Sequence, residues 1–232
     1  MRAMLKISAL EWRLIRRNYK VIGTHLVGVL VLLLLLRPQL TTRPPAEIPS
    51  MICVILLMAA AGPPLSIGVH TLVSEKDRGT MEALALLPIT RMQLVAGKAI
   101  VTLAFSVAEV TAIVVILRVA ALSRSAPQLG IALASPLVWL VLFLLCPAIA
   151  LLLTLIAVTV SGRSQDAHTA SNVTMVIAAP VVFTLIGLWF GLLVARPRIV
   201  GLLVVVLAAA CAVMLRASAA CLTDETLIAR RH

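Results

Sequence analysis

SPLVWLVLFLLCPAIALLLTLIAVTV, residues 135–160, runs for 26 residues without one charged side chain. A helix needs about 20 apolar residues to cross a hydrocarbon core about 30 Å thick. This stretch is long enough, and its polar content is limited to Ser135, Thr154 and Thr159. Similar stretches lie on both sides of it, at 98–120 and 49–72 upstream and at 172–195 and 198–221 downstream. A shorter one at 21–36 reaches full length if the helix enters from the preceding residues. The expectation is an all-α integral membrane protein of six transmembrane helices, organised as a single domain over residues 1–232.

Composition agrees. Apolar residues make up 62% of the 232 and charged residues 12%, with mean hydropathy +1.12. A soluble domain is about half apolar and a quarter charged. Soluble globular, disordered, collagen-like and coiled-coil classes are excluded. The formal charge of +11 comes with only 3% aromatic residues, and the basic residues sit between apolar blocks. That pattern meets lipid head groups rather than a nucleic-acid backbone, so no nucleic-acid partner is expected. Cys53, Cys146, Cys211 and Cys221 form no CxxC and have no His at ligand spacing. They read as small apolar side chains in helix interfaces, with no metal site.

Residues 1–20 differ from the spans. On a helix, Lys6, Arg13, Arg17 and Lys20 gather on one side, with Met4, Ser8, Trp12, Ile15 and Tyr19 opposite. This is the pattern of an interfacial amphipathic helix. Arg37-Pro38 follows the first span in place of a small-residue cleavage site, so that span reads as retained. With the N-terminus inside, fourteen of the twenty Lys and Arg fall in inner segments and six in outer ones. The positive-inside rule then places both termini in the cytoplasm, with 222–232 as a cytoplasmic tail. The outer connections, 37–48, 121–130 and 195–198, are too short to hold a domain.

The longest polar interruption, VSEKDRGTMEALALLPITRMQLVAGK at 73–98, is cytoplasmic in this topology. Gly79 breaks the charged lead-in, and Thr80 caps a short helix whose first turn carries Glu82. Met81, Leu84 and Leu87 give that helix an apolar edge, and Pro88 stops it. Thr90 and Gln93 have capping-box spacing for the next helix. A surface helix of this kind suits a groove on a cytoplasmic partner. It equally suits a re-entry helix that only satisfies its own backbone near the head groups.

The run Glu75-Lys-Asp-Arg78-Gly79-Thr80-Met-Glu82-Ala-Leu84, then Leu87-Pro88-Ile89-Thr90-Arg91, then Gly97-Lys98 resembles the cytoplasmic signature of type-2 ABC exporter permeases. The basic helix before the first span, the six spans and the inward termini resemble that family too. The resemblance implies that 75–88 is a coupling helix docking on a separate ATP-hydrolysing subunit. Glu75, Arg78, Gly79, Thr80, Glu82 and Pro88 inherit that role by position. It also implies a second permease copy, identical or paralogous, and a bacterial inner-membrane location. ATP and Mg would belong to the partner, with no cofactor in this chain. The connection at 195–198 departs from relatives that carry re-entrant helices there, unless the fifth span is itself broken at Pro180. A phosphate loop needs GxxxxGK[ST], and here Met92 stands at the first Gly position and Ala99 at the Ser/Thr position. The chain therefore reads as no enzyme.

Glu109 lies near the middle of the third span, and Thr102, Ser106 and Glu109 share one helical face. Two readings stand: a translocation pathway, or a carboxyl bonded to another helix. Pro63 and Pro64, after Gly62, interrupt the second span as a candidate hinge, and Pro136, Pro147 and Pro180 interrupt later spans. Gly187 and Gly191 form a GxxxG for close helix contact. His25, His70 and His168 read as satisfied or solvated. Two alternatives remain to transport. One is a non-transporting sensor or immunity protein with the same coupling element. The other is a membrane-embedded lipid-modifying enzyme, which would need clustered carboxylates or a Ser/His pair at one depth.

Overall fold

Pro64 has no N–H to give the carbonyl of Ala60, and the helix containing both departs from α geometry at that point. In the computed structural model, α1 (Ile48–Pro63) passes into a π-helical turn at Pro64–Gly68. The structure describes residues 12, 23, 25, 27, 28, 30, 31, 34, 44, 46–70, 90–122, 127–164, 166–188 and 197–221. Among them there are helices and turns but no strand.

After α1 come α2 (Arg91–Ala121), the short α3 (Pro127–Leu133) and α4 (Pro136–Leu140). A second π turn at Val141–Leu145 leads into α5 (Cys146–Arg163), and the chain ends in α6 (Ala167–Leu188) and α7 (Pro197–Cys221). Four helical stretches among the described residues are long and apolar enough to cross a membrane: Ile48–Gly68, Met92–Ala121, Pro136–Arg163 and Val200–Ser218. They correspond to four of the six expected spans. A shorter apolar stretch, His168–Phe183, lies in α6 at the position of the expected fifth. Most of 21–36 lies outside the described residues, though residues 23, 25, 27, 28, 30, 31 and 34 are helical. The coupling segment 75–88, the tail 222–232 and Gly191 also lie outside them. Of residues 1–20 only Trp12 is described; it is helical and 45% exposed.

The centre of the bundle is α5, which packs against α1, α2, α6 and α7. Its sequence explains the placement: it is apolar on every side until Arg163, and such a helix belongs in the interior. Ile149, Leu153, Leu155 and Ala157 are each 2% exposed or less. The hydroxyl of Thr154 donates to its own helix at the Ala150 carbonyl (2.7 Å), so it adds no unpaired group to that core. Outward faces are apolar as well. Val115 and Val119 of α2, Val176 of α6 and Val206 of α7 are all more than half exposed. In water such a surface would be anomalous; against lipid it is the expected solvent-facing side.

Local signals set the helix starts. Thr90 Oγ1 accepts from the Gln93 amide (3.2 Å) and Gln93 Oε1 accepts from the Thr90 amide (3.1 Å), the full capping box at the head of α2. Asp166 accepts from the Thr169 amide (2.6 Å) and hydroxyl (2.8 Å) at the head of α6. The helix α3 lies inside the expected outer loop 121–130 and runs past it. Leu129 and Leu133, four residues apart on its inner face, are buried in the main core. Cys53, Cys146 and Cys211 are free and buried.

A candidate functional site between three helical segments

Glu109 of α2 needs a partner, because a lone carboxylate at this depth costs about 2.5–3.5 kcal/mol on insertion scales. Its partner is His25. Nδ1 stands 3.1 Å from Glu109 Oε2, and each side chain is 11% exposed. The contact does not have hydrogen-bond geometry, and Oε2 is a buried atom without a hydrogen-bond partner among the described residues. On its other side, His25 Nε2 meets Ser66 Oγ at 2.6 Å, within the π turn after α1. Ser66 Oγ also lies 3.2 Å from the Gly62 carbonyl and 3.4 Å from that of Pro63. Phe105 presents a T-shaped contact to the imidazole (centroids 5.6 Å) and packs in turn against Trp12 (6.5 Å).

The residues are at one place for identifiable reasons. Glu109 and Phe105 are one helical turn apart on α2. Gly62 lies against the ring: a Cβ there would lie 3.6 Å from His25 Cε1 and 3.9 Å from Glu109 Oε1, in ordinary van der Waals contact. Ser106 repairs the proline break, its hydroxyl donating to the Ala60 carbonyl at 2.6 Å. That bond fixes α2 against α1 one turn from Glu109. Gly68 lets the π turn approach α5, where a Cβ would meet that of Ala157 at 3.1 Å.

Hydrogen-bond accounting limits the proton arrangements. If Ser66 donates to the Gly62 carbonyl, Nε2–H donates to Ser66 Oγ. One further proton then sits either on Nδ1, as imidazolium with carboxylate, or on Glu109. Both arrangements are neutral overall and differ only in which atom holds the proton. A third has Ser66 donating to Nε2 and a neutral ring facing a carboxylate. It leaves one net negative charge in a low-dielectric site, which costs more.

A hydroxyl, an imidazole and a carboxylate in a row is also the order of a nucleophile, a base and its orienting group. The sequence analysis asked an embedded enzyme for a Ser/His pair at one depth, and Ser66 and His25 supply it. Among the described residues, the Ser66 amide belongs to a helical turn, and the lining of the cavity beside α2 includes none of Ser66, His25 and Glu109.

The other residues singled out from sequence are placed as follows. Thr102 is fully buried, and its hydroxyl donates to the Lys98 carbonyl of its own helix (3.4 Å). Ser106 is 1% exposed and Glu109 faces His25, so the polar face of α2 packs against other helices. Pro63 and Pro64 mark the junction of α1 with the π turn. Glu75, Arg78, Gly79, Thr80, Glu82 and Pro88 lie outside the described residues. The sequence reading treated His25 as merely satisfied or solvated and did not single out Ser66. The signal that leads to them is Glu109 itself, since an intramembrane carboxylate calls for a basic partner and His25 is one of few in the spans. Among the described residues no group of three or more His, Cys, Asp or Glu side chains is placed to hold a metal.

Residues 11–178 match the family described as ABC-2 family transporter protein. That range holds the His25–Ser66–Glu109 cluster, the segment 75–88, and α1 to α5 whole. No curated protein matches the chain.

Proposed function

The chain belongs to the ABC-2 family of membrane transport proteins, and we propose that it is the transmembrane subunit of an ATP-driven exporter. It is a multi-pass membrane component of that transport class. In the proposed arrangement six spans form one domain, with 1–20 as an interfacial helix and both termini on the cytoplasmic side of a bacterial inner membrane. Residues 75–88 dock on a separate ATPase, which carries ATP and Mg, and a second permease copy completes the pathway.

The observation that carries this reading is the family match, which spans the segment between α1 and α2. A push on residues 75–88 acts on the inner ends of both helices. The His25–Ser66–Glu109 cluster then ties the N-terminal helical segment to that pair at the proline break, so the three segments move as a unit or separate there. A single cysteine replacing Thr80 in a cysteine-free background tests the docking. It should cross-link to a protein containing a phosphate loop. Cross-linking only to lipid or to other copies of this chain would refute it. A non-transporting sensor with the same contacts would give the cross-link but no ATP-dependent cargo movement in vesicles.

The Ser66–His25–Glu109 row favours one second reading, an intramembrane hydrolase. Covalent labelling of Ser66 by a serine-directed phosphonate, abolished in His25→Leu, would support it; an unlabelled Ser66 leaves the cluster structural.

A further inference from the structure

The helix α2 presents two different faces. Opposite the face that holds Thr102, Phe105 and Glu109 lies a groove of about 570 Å³ between α2 and the chain from Trp139 to Pro147. Its walls are apolar, formed chiefly by Val110, Val114, Val115, Trp139, Phe143 and Cys146. Trp139 and Phe143 stack at 5.7 Å to make one side of it. Ser106 and Thr111 also line it, but both hydroxyls are committed to backbone carbonyls, at Ala60 (2.6 Å) and Val107 (2.7 Å). Arg118 is the one charged lining residue. It is exposed in the last turn of α2, and no carboxylate among the described residues pairs with it.

We propose that this groove holds one acyl chain of an anionic phospholipid of the surrounding bilayer, with the lipid phosphate on Arg118. The dimensions fit. Ser106 to Arg118 is twelve residues, about 18 Å of helix, against about 15 Å for half of the hydrocarbon core. A water-filled groove needs about two to four polar partners per water, and these walls offer, besides Arg118 and the Trp139 indole, only two hydroxyls, each already donating to a backbone carbonyl. A guanidinium at the edge of the hydrocarbon is stabilised by a phosphate, which it grips through two parallel N–H donors. Charge complementarity therefore selects the head group, and the apolar wall selects the chain. The lipid is a resident that seals α2 against the Trp139–Pro147 segment, and the inference does not depend on the ATPase.

The test is native mass spectrometry of the purified protein, after delipidation and exposure to vesicles of equal phosphatidylglycerol and phosphatidylcholine. The wild type should retain one lipid per chain, with phosphatidylglycerol favoured at least tenfold. Arg118→Gln should retain lipid but lose the preference, while Arg118→Lys keeps part of it. Val115→Trp, at a lining position 55% exposed and so tolerant of bulk, should abolish retention while thermal unfolding stays unchanged. Equal retention of the two lipids by the wild type overturns the proposal. So does an unaltered preference in Arg118→Gln, or undiminished lipid in a folded Val115→Trp protein.

Discussion

At the scale of single residues, His25 and Glu109 are worth most when both are present. Removing one leaves the other, 11% exposed, without its partner in an apolar surround, and breaking a buried ion pair costs about 3–5 kcal/mol. His25→Leu should therefore destabilise the protein by about 3 kcal/mol in thermal unfolding at fixed detergent and pH. The double variant His25→Leu/Glu109→Leu should recover most of the loss. Simple addition of the two single losses would show that the pair does not interact. Asp166 makes a different prediction, because it is fully exposed and outside the spans. The Thr169 amide bond, followed by the Thr169 hydroxyl, holds its carboxyl below the ordinary 3.8. A depressed value means that the cap contributes above the unfolded value and is lost as pH falls through the folded one. Exchange protection of the Thr169 amide should stay level from pH 7 to about 4 and fall below that. In Asp166→Ala it should be low throughout, and equal protection in the two proteins would exclude the cap.

At the scale of elements, two close fits hold α1 in place. Pro64 cannot donate to Ala60, so Ser106→Ala leaves that carbonyl without its side-chain donor, at a cost of about 1–3 kcal/mol. Pro64→Ala restores an N–H, and in that background Ser106→Ala should cost less than half as much. An unchanged cost would separate the Ser106 bond from the proline. Gly68→Ala puts a methyl 3.1 Å from Ala157 Cβ, between a π turn and the central helix. It should destabilise by about 1–3 kcal/mol, whereas Gly62→Ala, whose methyl would meet its nearest neighbour at 3.6 Å, should be near neutral. If Gly68→Ala melts with the wild type, the π turn and α5 are not in tight contact.

These elements also mark how far the sequence could be read. The start of α2 was legible because Thr90 and Gln93 are three residues apart, and α5 because a helix apolar on all sides has only one place to go. The apolar runs marked α1, the stretch Pro136–Arg163 and α7 to within one residue at their starts, while α2 and α6 begin five to seven residues before the expected spans. The cluster was not legible, since His25 and Glu109 are 84 positions apart and a helical wheel supplies a face but never its partner. The helix α3 was missed because Ser123, Ser125 and Pro127 read as loop, while Leu129 and Leu133 are buried only by tertiary contact. The π turns lie beside prolines, Pro63–Pro64 at the first and Pro147 just after the second, which announce a break without saying whether it becomes a kink or a bulge.

At the scale of the molecule, an apolar bundle belonging to the ABC-2 family has its longest polar interruption, which includes 75–88, between α1 and α2. In the proposed exporter energy enters from a separate ATPase, and that segment is the place proposed for its entry. The most direct measurement is capture of the protein from its native membrane in mild detergent, with mass-spectrometric identification of what accompanies it. The control is a variant with 75–88 replaced by a Gly/Ser linker and an unchanged oligomeric size. The account predicts an ATPase with a phosphate loop bound to the wild type and missing from the variant. An ATPase retained by the variant, or absent from a folded wild type, would contradict it.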